Sequence, residues 1–217
     1  MDTVVFVDSQ TVRVFSNNMV LTKINAEVDT VAAKTFAISA YPTLVMVDKD
    51  GQEIDRIVGY LPTAEFLKTL DDYSKGIGTL ADLLNKAKEK PARQLSFDIA
   101  EKYKYRGKPA EATEWYQKVI AVGQATDSLA GESRMALADM LRRDKNWDAA
   151  VGSFEEIMKD FKGTPFAVDA EIWRAIVYSR KGDTTAAISA FEQFLVNNPT
   201  AEDTSYARKQ IEKLKNP

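Results

Sequence analysis

Adjacent carboxylate pairs are the residues of this chain whose chemistry would suit general acid–base catalysis. The pairs are Asp71-Asp72 and Glu155-Glu156. Both fall in stretches that we predict to be helical, where neighbouring side chains point about 100° apart, so the two carboxylates of a pair do not converge on one substrate. We therefore expect both pairs to be solvated helix faces and assign no catalytic residue to either.

The sequence also lacks the residues that most other catalytic sites use. Its 217 residues include no cysteine and no histidine, which excludes disulfides, thiol nucleophiles, Ser-His-Asp triads and zinc sites built on either residue. A metal ion could be held only by oxygen ligands, and neither the EF-hand spacing nor a phosphate-binding loop is present. We expect no metal, no cofactor and no catalytic activity for the chain as given.

The charge balance argues against nucleic acid as a partner. Lysine and arginine total 29, while aspartate and glutamate total 32, for a net charge of −3; phosphate binding needs a local basic excess. With 45% hydrophobic and 28% charged residues, the composition is that of a globular protein. The longest apolar run, residues 43–47, is too short to span a membrane, so we expect no membrane span.

The sequence leaves the localisation open. Residues 1–6 lack the basic region of a secretory signal, which at face value predicts a cytoplasmic protein. If a segment upstream of Met1 carries a signal, the periplasm or the cell envelope is the alternative.

Residues 1–74 combine helical and strand patterns. Asp8 and Asp29 are typical helix N-caps, and Asp50-Gly51 favours the positive φ of a tight hairpin. The apolar run that precedes this hairpin is compatible with a strand buried on both faces. The predicted elements are a helix over 8–17, a strand over 19–25, a helix over 29–36, strands over 43–48 and 52–59, and a helix over 62–76.

From about Leu80 onward the sequence repeats itself when Gly107, Lys145 and Gly182 are aligned. Alanines stand seven residues before and five residues after each of these positions, and large apolar side chains stand four before, nine after and twelve after. Alanines let two antiparallel helices approach closely, and the large side chains fill the space between successive helical hairpins. The repeated residues are Ala100, Ala138, Ala175, Tyr103, Leu141, Tyr178, Ala112, Ala150, Ala187, Tyr116, Phe154, Phe191, Val119, Ile157 and Phe194.

This register resembles that of tetratricopeptide repeats. The spacings of 38 and 37 residues exceed the usual ~34, and Ser96, Arg134 and Glu171 stand where the family has a tryptophan. The resemblance implies an α-solenoid, with an unrelated helical bundle as the alternative. Its predicted parts are repeats at 93–126, 131–164 and 168–201, a capping helix at 201–215, and a helical linker over 75–92.

Residues 1–74 resemble a thioredoxin fold that is incomplete at its N-terminus. Tyr41 to Gly51 is similar to the family's cis-proline, strand and hairpin, and Gly59 follows the second strand. The family's two redox cysteines, and the strand that leads to them, would lie before Met1. The predicted fold class is therefore α/β followed by all-α.

Two interpretations of this resemblance remain open. The domain is either a redox-inactive remnant that serves as a binding surface, or the later part of a thiol–disulfide oxidoreductase whose cysteine pair lies upstream. The first predicts a non-catalytic, chaperone-like adaptor. In the second, the repeats recruit clients to a redox site, and the chain is part of an enzyme.

The resemblances also imply peptide-binding residues on both parts of the chain. In the thioredoxin family the residue before the cis-proline and the proline itself form a ledge for extended substrates, with a glycine nearby; here they correspond to Tyr41, Pro42 and Gly59. Tetratricopeptide repeats bind peptides on the first helix of each hairpin, and Trp173 and Met135 are either an apolar anchor or core residues. The groove positions are Phe97, Glu101, Met135, Asp139, Arg142 and Trp173.

The expected partners are protein or extended peptide clients. An exposed edge of the small sheet would also permit oligomers. A purely structural module, with its groove filled by another subunit, is a further alternative. The long repeat spacing resembles that of some bacterial envelope proteins, so we expect a bacterial origin.

Overall fold

The computed structural model describes residues 1, 3–124 and 126–216 and is mainly helical. Its internal contacts divide the chain into two compact units, Met1–Trp115 and Tyr116–Pro217. The helix Pro109–Ala121 begins in the first unit and ends in the second.

The first unit contains the predicted α, β, α, β, β, α order without the strand over 19–25, followed by two further helices and the start of the helix Pro109–Ala121. The side chain of Asp8 accepts hydrogen bonds from the N–H groups of Gln10 and Thr11, and that of Asp29 accepts one from Ala32, so both predicted caps are confirmed. The elements are α1 Ser9–Asn18, α2 Thr30–Thr35, β1 Thr43–Val47, β2 Glu53–Val58, α3 Thr63–Ser74, α4 Leu80–Glu89, α5 Arg93–Tyr105 and α6 Pro109–Ala121.

Strands β1 and β2 form an antiparallel hairpin. The N–H of Asp48 donates to the carbonyl of Gln52, and the carboxylate of Asp48 accepts from the N–H groups of Asp50 and Gln52. Gly51 has φ +77°, which an L side chain rarely adopts. The Asp-Gly signal in the sequence therefore predicted this turn correctly.

The predicted strand over residues 19–25 is wrong. These residues form no regular element, and Val20 is 96% exposed. A strand needs a neighbour for its N–H and C=O groups, and among the described residues the two strands pair with one another in a two-stranded sheet. Alternating apolar residues alone were insufficient to make a strand here.

The structure also does not bury the strand over 43–48 on both of its faces. The residues of β1 are half-buried, and Val47 is exposed. The apolar core of the first unit lies instead on one face of the hairpin, where α1 and α3 pack against it. It consists of Val5, Ile57, Phe66 and Leu70, with Phe6, Phe15 and Leu44 at its margin.

The second unit is built from helical hairpins and a final helix. Asp127 and Asp183 accept hydrogen bonds from the N–H groups of Ala130 and Ala186, which caps two of these helices. Together with α5 and α6, the described helices fit the predicted hairpins and capping helix. The elements are α7 Ser128–Arg143, α8 Trp147–Asp160, α9 Pro165–Lys181, α10 Thr184–Asn197 and α11 Thr204–Lys215.

The three residues that define the repeat register share one backbone conformation. Gly107, Lys145 and Gly182 have φ values of +65°, +60° and +89°, and each terminates the first helix of a hairpin. The N–H of each donates to the carbonyl three residues earlier, which satisfies a helix C-terminus. The next N–H along the chain donates to the carbonyl of the large residue four positions before the aligned one, namely Tyr103, Leu141 or Tyr178.

The small and large register positions form the helical core. The six alanines of the register are fully buried, as are the large residues nine and twelve positions after each aligned residue. From Ala138 onward, these residues divide between two apolar clusters. The first is Ala130, Ala138, Ala150, Phe154, Ile157, Phe161, Ala170 and Val177, and the second is Ile172, Ala175, Ala187, Ala190, Phe191, Phe194 and Ala207.

Candidate functional site

The predicted ledge residues lie together at the open end of the hairpin. The Tyr41–Pro42 peptide bond is cis, and the N–H of Gly59 donates to the carbonyl of Pro42 at 2.8 Å. Pro42 directly precedes β1 and Gly59 directly follows β2, so strand pairing holds the three residues side by side.

This ledge is open to solvent. Tyr41 is 68% exposed, and the neighbouring Tyr60 is also exposed. Gly59 has φ +87°, and a Cβ at that position would meet no atom within 4 Å. The ledge therefore offers an aromatic ring beside unobstructed backbone, an arrangement suited to an extended chain.

A second predicted set lies on α7 and α9 in the second unit, and we call it the α7–α9 surface: Met135, Asp139, Arg142 and Trp173. The Nε and Nη2 atoms of Arg142 donate to Oδ1 of Asp139 at 2.8 and 2.6 Å. The other carboxylate oxygen accepts from Nε of Arg143 at 2.7 Å. Asp139 therefore orients both guanidinium groups.

The guanidinium of Arg142 also lies against the indole of Trp173. Its Cζ is 4.9 Å from the ring centroid, within the range of a cation–π contact. Trp173 is half-buried and packs against both apolar clusters of the second unit, while Met135 packs against the first. Trp173 therefore contributes to the core while part of its side chain stays at the surface, and its role as an apolar anchor stays a prediction.

The remaining predicted groove residues lie on α5 in the first unit. Phe97 and Glu101 are half-buried. Both carboxylate oxygens of Glu101 accept from Nζ of Lys104, at 2.6 and 2.7 Å.

The adjacent carboxylates point apart, as their helical setting predicted. Asp71 pairs with Lys75 and Asp72 pairs with Lys68, each at 2.6 Å. The hydrogen bond to Asp72 raises the pKa of Lys68. Glu155 contacts Arg174 at 3.4 Å.

Sequence reasoning missed a buried charge cluster in the first unit. Asp55 on β2 is fully buried, and its Oδ1 lies 2.9 Å from Nζ of Lys102 and 3.1 Å from Nη2 of Arg106. Its Oδ2 accepts from the N–H of Leu80 at 2.7 Å. One carboxylate thus joins β2 to the start of α4 and the end of α5.

Glu53 and Arg56 complete this charge cluster. Oε1 of Glu53 accepts from Nε of Arg56 at 2.7 Å and lies 3.2 Å from Nε of Arg106. The Nη1 of Arg56 donates to the carbonyl of Tyr105. Two features of the sequence hinted at this cluster: the Asp55-Arg56 pair lies inside a predicted strand, and Lys102 and Arg106 are one helical turn apart. The contacts between the strand and these two cations nevertheless depend on the tertiary fold.

Two further properties concern the part of the chain that the structure describes. No group of three or more acidic side chains there could hold a metal ion. None of the described helices combines the length and apolar character needed to cross a membrane.

Two family models match separate parts of the chain. The model of a thioredoxin-like domain matches residues 3–74, and the model of a tetratricopeptide repeat matches residues 169–201. Residues 3–74 are a thioredoxin-like domain, and residues 169–201 are a tetratricopeptide repeat. The ledge and β2 lie within the thioredoxin-like domain, whereas Trp173 lies within the matched repeat.

A curated relative is also similar to part of this chain. Thioredoxin 1 of Synechococcus elongatus is 34% identical over 59 residues, which are 27% of this chain and 54% of the relative. The chain therefore spans about half the length of that relative.

Proposed function

We propose that this chain is a non-catalytic adaptor of chaperone type that binds extended peptide segments of other proteins. The proposal rests above all on the Arg142–Trp173 contact. Aromatic and arginine side chains dominate the energetics of protein interfaces, and here one of each is oriented on the tetratricopeptide-repeat part of the chain.

The α7–α9 surface has the chemistry that peptide recognition requires. The indole offers apolar area, the guanidinium of Arg142 attracts acidic groups, and Asp139 keeps that guanidinium in place. An oriented guanidinium loses less conformational entropy on binding than a mobile one. We infer that preferred segments combine an apolar residue with a nearby carboxylate.

The ledge is the second contact that we propose for the same clients. Tyr41, Pro42 and Gly59 present a ring and accessible backbone to an extended segment. Two modest sites on one chain increase avidity for a long unfolded client, because the second binding event becomes intramolecular.

The decisive test compares Arg142→Ala with Arg143→Ala. Both arginines bond to Asp139, but the Trp173 contact involves Arg142, so Arg143→Ala is a matched control. The probes are fluorescent peptides taken from an array that tiles unfolded proteins, and anisotropy gives the Kd. We expect Arg142→Ala to raise Kd about tenfold and Arg143→Ala to raise it no more than about twofold.

Trp173→Ala is less informative because it would also remove core packing. If no array peptide binds the wild-type chain, the proposal fails. If the Kd of Arg142→Ala equals the Kd of Arg143→Ala, the α7–α9 surface is not the peptide site.

A second candidate is a thiol–disulfide oxidoreductase role in a longer chain. The 34% identity with thioredoxin 1 over 59 residues favours it, whereas these 217 residues contain no cysteine to exchange. The intact mass of the protein from its native source separates the two candidates. A mass near 24.2 kDa supports the adaptor, and an excess of about 4–6 kDa, enough for a strand and a cysteine pair, supports the oxidoreductase.

A further inference from the structure

The basic side chains toward the ends of α7 and α9 differ in whether they have a partner. Asp139 accepts hydrogen bonds from the guanidinium groups of both Arg142 and Arg143. Lys181 on α9 donates from Nζ to Oδ1 of Asp148 at 2.5 Å. The charges of these three basic residues are therefore largely compensated by carboxylates of the same chain.

Arg180, the residue before Lys181, is not compensated in this way. Its side chain is exposed, and among the residues that the structure describes no group forms a hydrogen bond, an ion pair or a cation–π contact with its guanidinium. A guanidinium carries five N–H donors in a geometry that matches a carboxylate. Arg180 therefore keeps its charge and its donors available for an anionic ligand.

Arg180 lies on the same face of α9 as Trp173. Seven positions separate the two residues, which in an α-helix leaves their directions about 20° apart and their Cα atoms about 10.5 Å apart along the axis. Trp173 faces α7, because Cζ of Arg142 lies 4.9 Å from its ring centroid. Ile176 is half-buried between the two positions. This face of α9 thus carries an apolar group and, two turns further on, a free cation.

The separation of the two groups favours a particular spacing in a bound peptide. In a polyproline II segment, residues three positions apart share a face and lie about 9.3 Å apart, close to the helical separation of about 10.5 Å. In a β-strand, residues on one face are two or four positions apart, which corresponds to about 7 or about 13 Å. A polyproline II segment therefore matches Trp173 and Arg180 better than a β-strand does.

We propose that Arg180 selects the clients of this chain by binding the side-chain carboxylate of an aspartate or glutamate three residues from the apolar residue that contacts Trp173. This inference rests on the proposed function, because it specifies which segments the α7–α9 surface prefers. The ion pair is exposed, so its contribution is modest. We expect the matching spacing to lower Kd about three- to fivefold.

Amidated, fluorescein-labelled peptides test the spacing with the wild-type chain. Each peptide carries one leucine and one glutamate, one to five positions apart in either order, in a constant background of alanine and proline, and anisotropy gives the Kd. We expect the lowest Kd at a separation of three, and loss of that advantage when glutamine replaces the glutamate. Equal Kd values across the series, or no binding by the series while array peptides bind, overturn the inference and leave the proposed function intact.

A comparison of Arg180→Ala with Arg208→Ala tests which cation is responsible. Arg208 is also exposed and also lacks such contacts within the described part of the chain, but it lies on α11, so its removal changes the net charge equally. We expect Arg180→Ala to bind all spacings alike and Arg208→Ala to keep the wild-type preference. A preference that survives in Arg180→Ala overturns the inference, because another cation then recognises the carboxylate.

A chain end offers the same carboxylate chemistry as a glutamate side chain. One further peptide therefore ends three residues after its leucine, with glutamine at that last position and a free C-terminal carboxylate. We expect the internal glutamate to lower Kd more than the free terminus does, because the proposed clients bind through extended internal segments. A gain from the free terminus and none from the glutamate overturns the inference.

Discussion

Lys145 occupies a backbone conformation that its two register equivalents achieve with glycine. Its φ is +60°, and left-handed backbone is unfavourable for a residue with a Cβ. We expect Lys145→Gly to raise the free energy of unfolding by about 1 kcal/mol, measured by urea denaturation. Gly182→Ala makes the reverse change in the next hairpin and should lower stability by a similar amount. Equal stability of Lys145→Gly and wild type would contradict this account.

Gly107 has a second reason to be glycine. A Cβ at Gly107 would lie 2.6 Å from Cβ of Ala37, whereas a Cβ at Gly182 would meet no atom within 4 Å. Both glycines have positive φ, so the two alanine substitutions share the backbone strain and differ in the clash. We expect Gly107→Ala to be more destabilising than Gly182→Ala by about 1–3 kcal/mol, measured by the same denaturation. Similar losses for both variants would mean that the chain around Ala37 moves away at little cost.

At the scale of elements, the N-terminus of α4 is stabilised by a reciprocal cap. The N–H of Asp82 donates to Oγ1 of Thr79, and the carboxylate of Asp82 accepts from the N–H of Gly78 at 2.7 Å. Hydrogen bonds from Lys86 and then from Gly78 lower the pKa of Asp82 below its ordinary value. The ionised carboxylate therefore stabilises the folded state.

This cap predicts a specific pH dependence. A lowered folded-state pKa gives stability that is fully present above the ordinary pKa and is lost as the pH falls through the folded pKa. We expect Asp82→Asn to be less stable than wild type at neutral pH, and the difference to shrink below about pH 4. Thermal unfolding of both proteins from neutral to acidic pH measures it. A difference that stays constant with pH would show that the carboxylate charge is not responsible.

At the scale of the whole molecule, Asp55 connects the thioredoxin-like domain to the helices that follow it. The carboxylate contacts Lys102, Arg106 and the N–H of Leu80, all beyond residue 74. These contacts tie α4 and α5 to the thioredoxin-like domain within the first compact unit, which extends to Trp115. We propose that the functional domains nevertheless divide at 1–74, 75–92 and 93–217.

Removal of the Asp55 charge should be costly because it leaves buried cations uncompensated. We expect Asp55→Asn to lower the free energy of unfolding by about 3 kcal/mol, measured by chemical denaturation. Asp71→Asn is the matched control, since the Asp71–Lys75 pair is largely exposed, and it should cost no more than about 0.5 kcal/mol. Comparable losses for the two variants would refute a stabilising role for the buried cluster.

Much of the fold was predictable because its signals are local. The caps at Asp8 and Asp29 and the turn at Gly51 depend on residues within one or two turns of the chain. The repeat register was predictable for a related reason: alanine spacing and a positive-φ position recur in each helical hairpin. The side-by-side placement of Pro42 and Gly59 followed from the same hairpin, since the two residues flank paired strands; that they form a peptide ledge stays a prediction implied by the thioredoxin resemblance.

The sequence-based predictions that were wrong or left open concern residues whose structure depends on distant partners. Residues 19–25 have the alternation of a strand, but a strand exists only where another strand accepts its backbone hydrogen bonds. Trp173 could not be assigned to core or surface from its position, because its ring contributes to both.

The sequence by itself determined the caps at Asp8 and Asp29, where the hairpin turns, that the alanines of the repeat register enter the core, and that these 217 residues contain no thiol or imidazole group. Tertiary structure alone decided the rest. Lys102 reaches Asp55 from 47 residues away, and no local pattern encodes that approach. The contact between Arg56 and the carbonyl of Tyr105 is likewise decided by the fold, since the two residues are 49 positions apart in the chain.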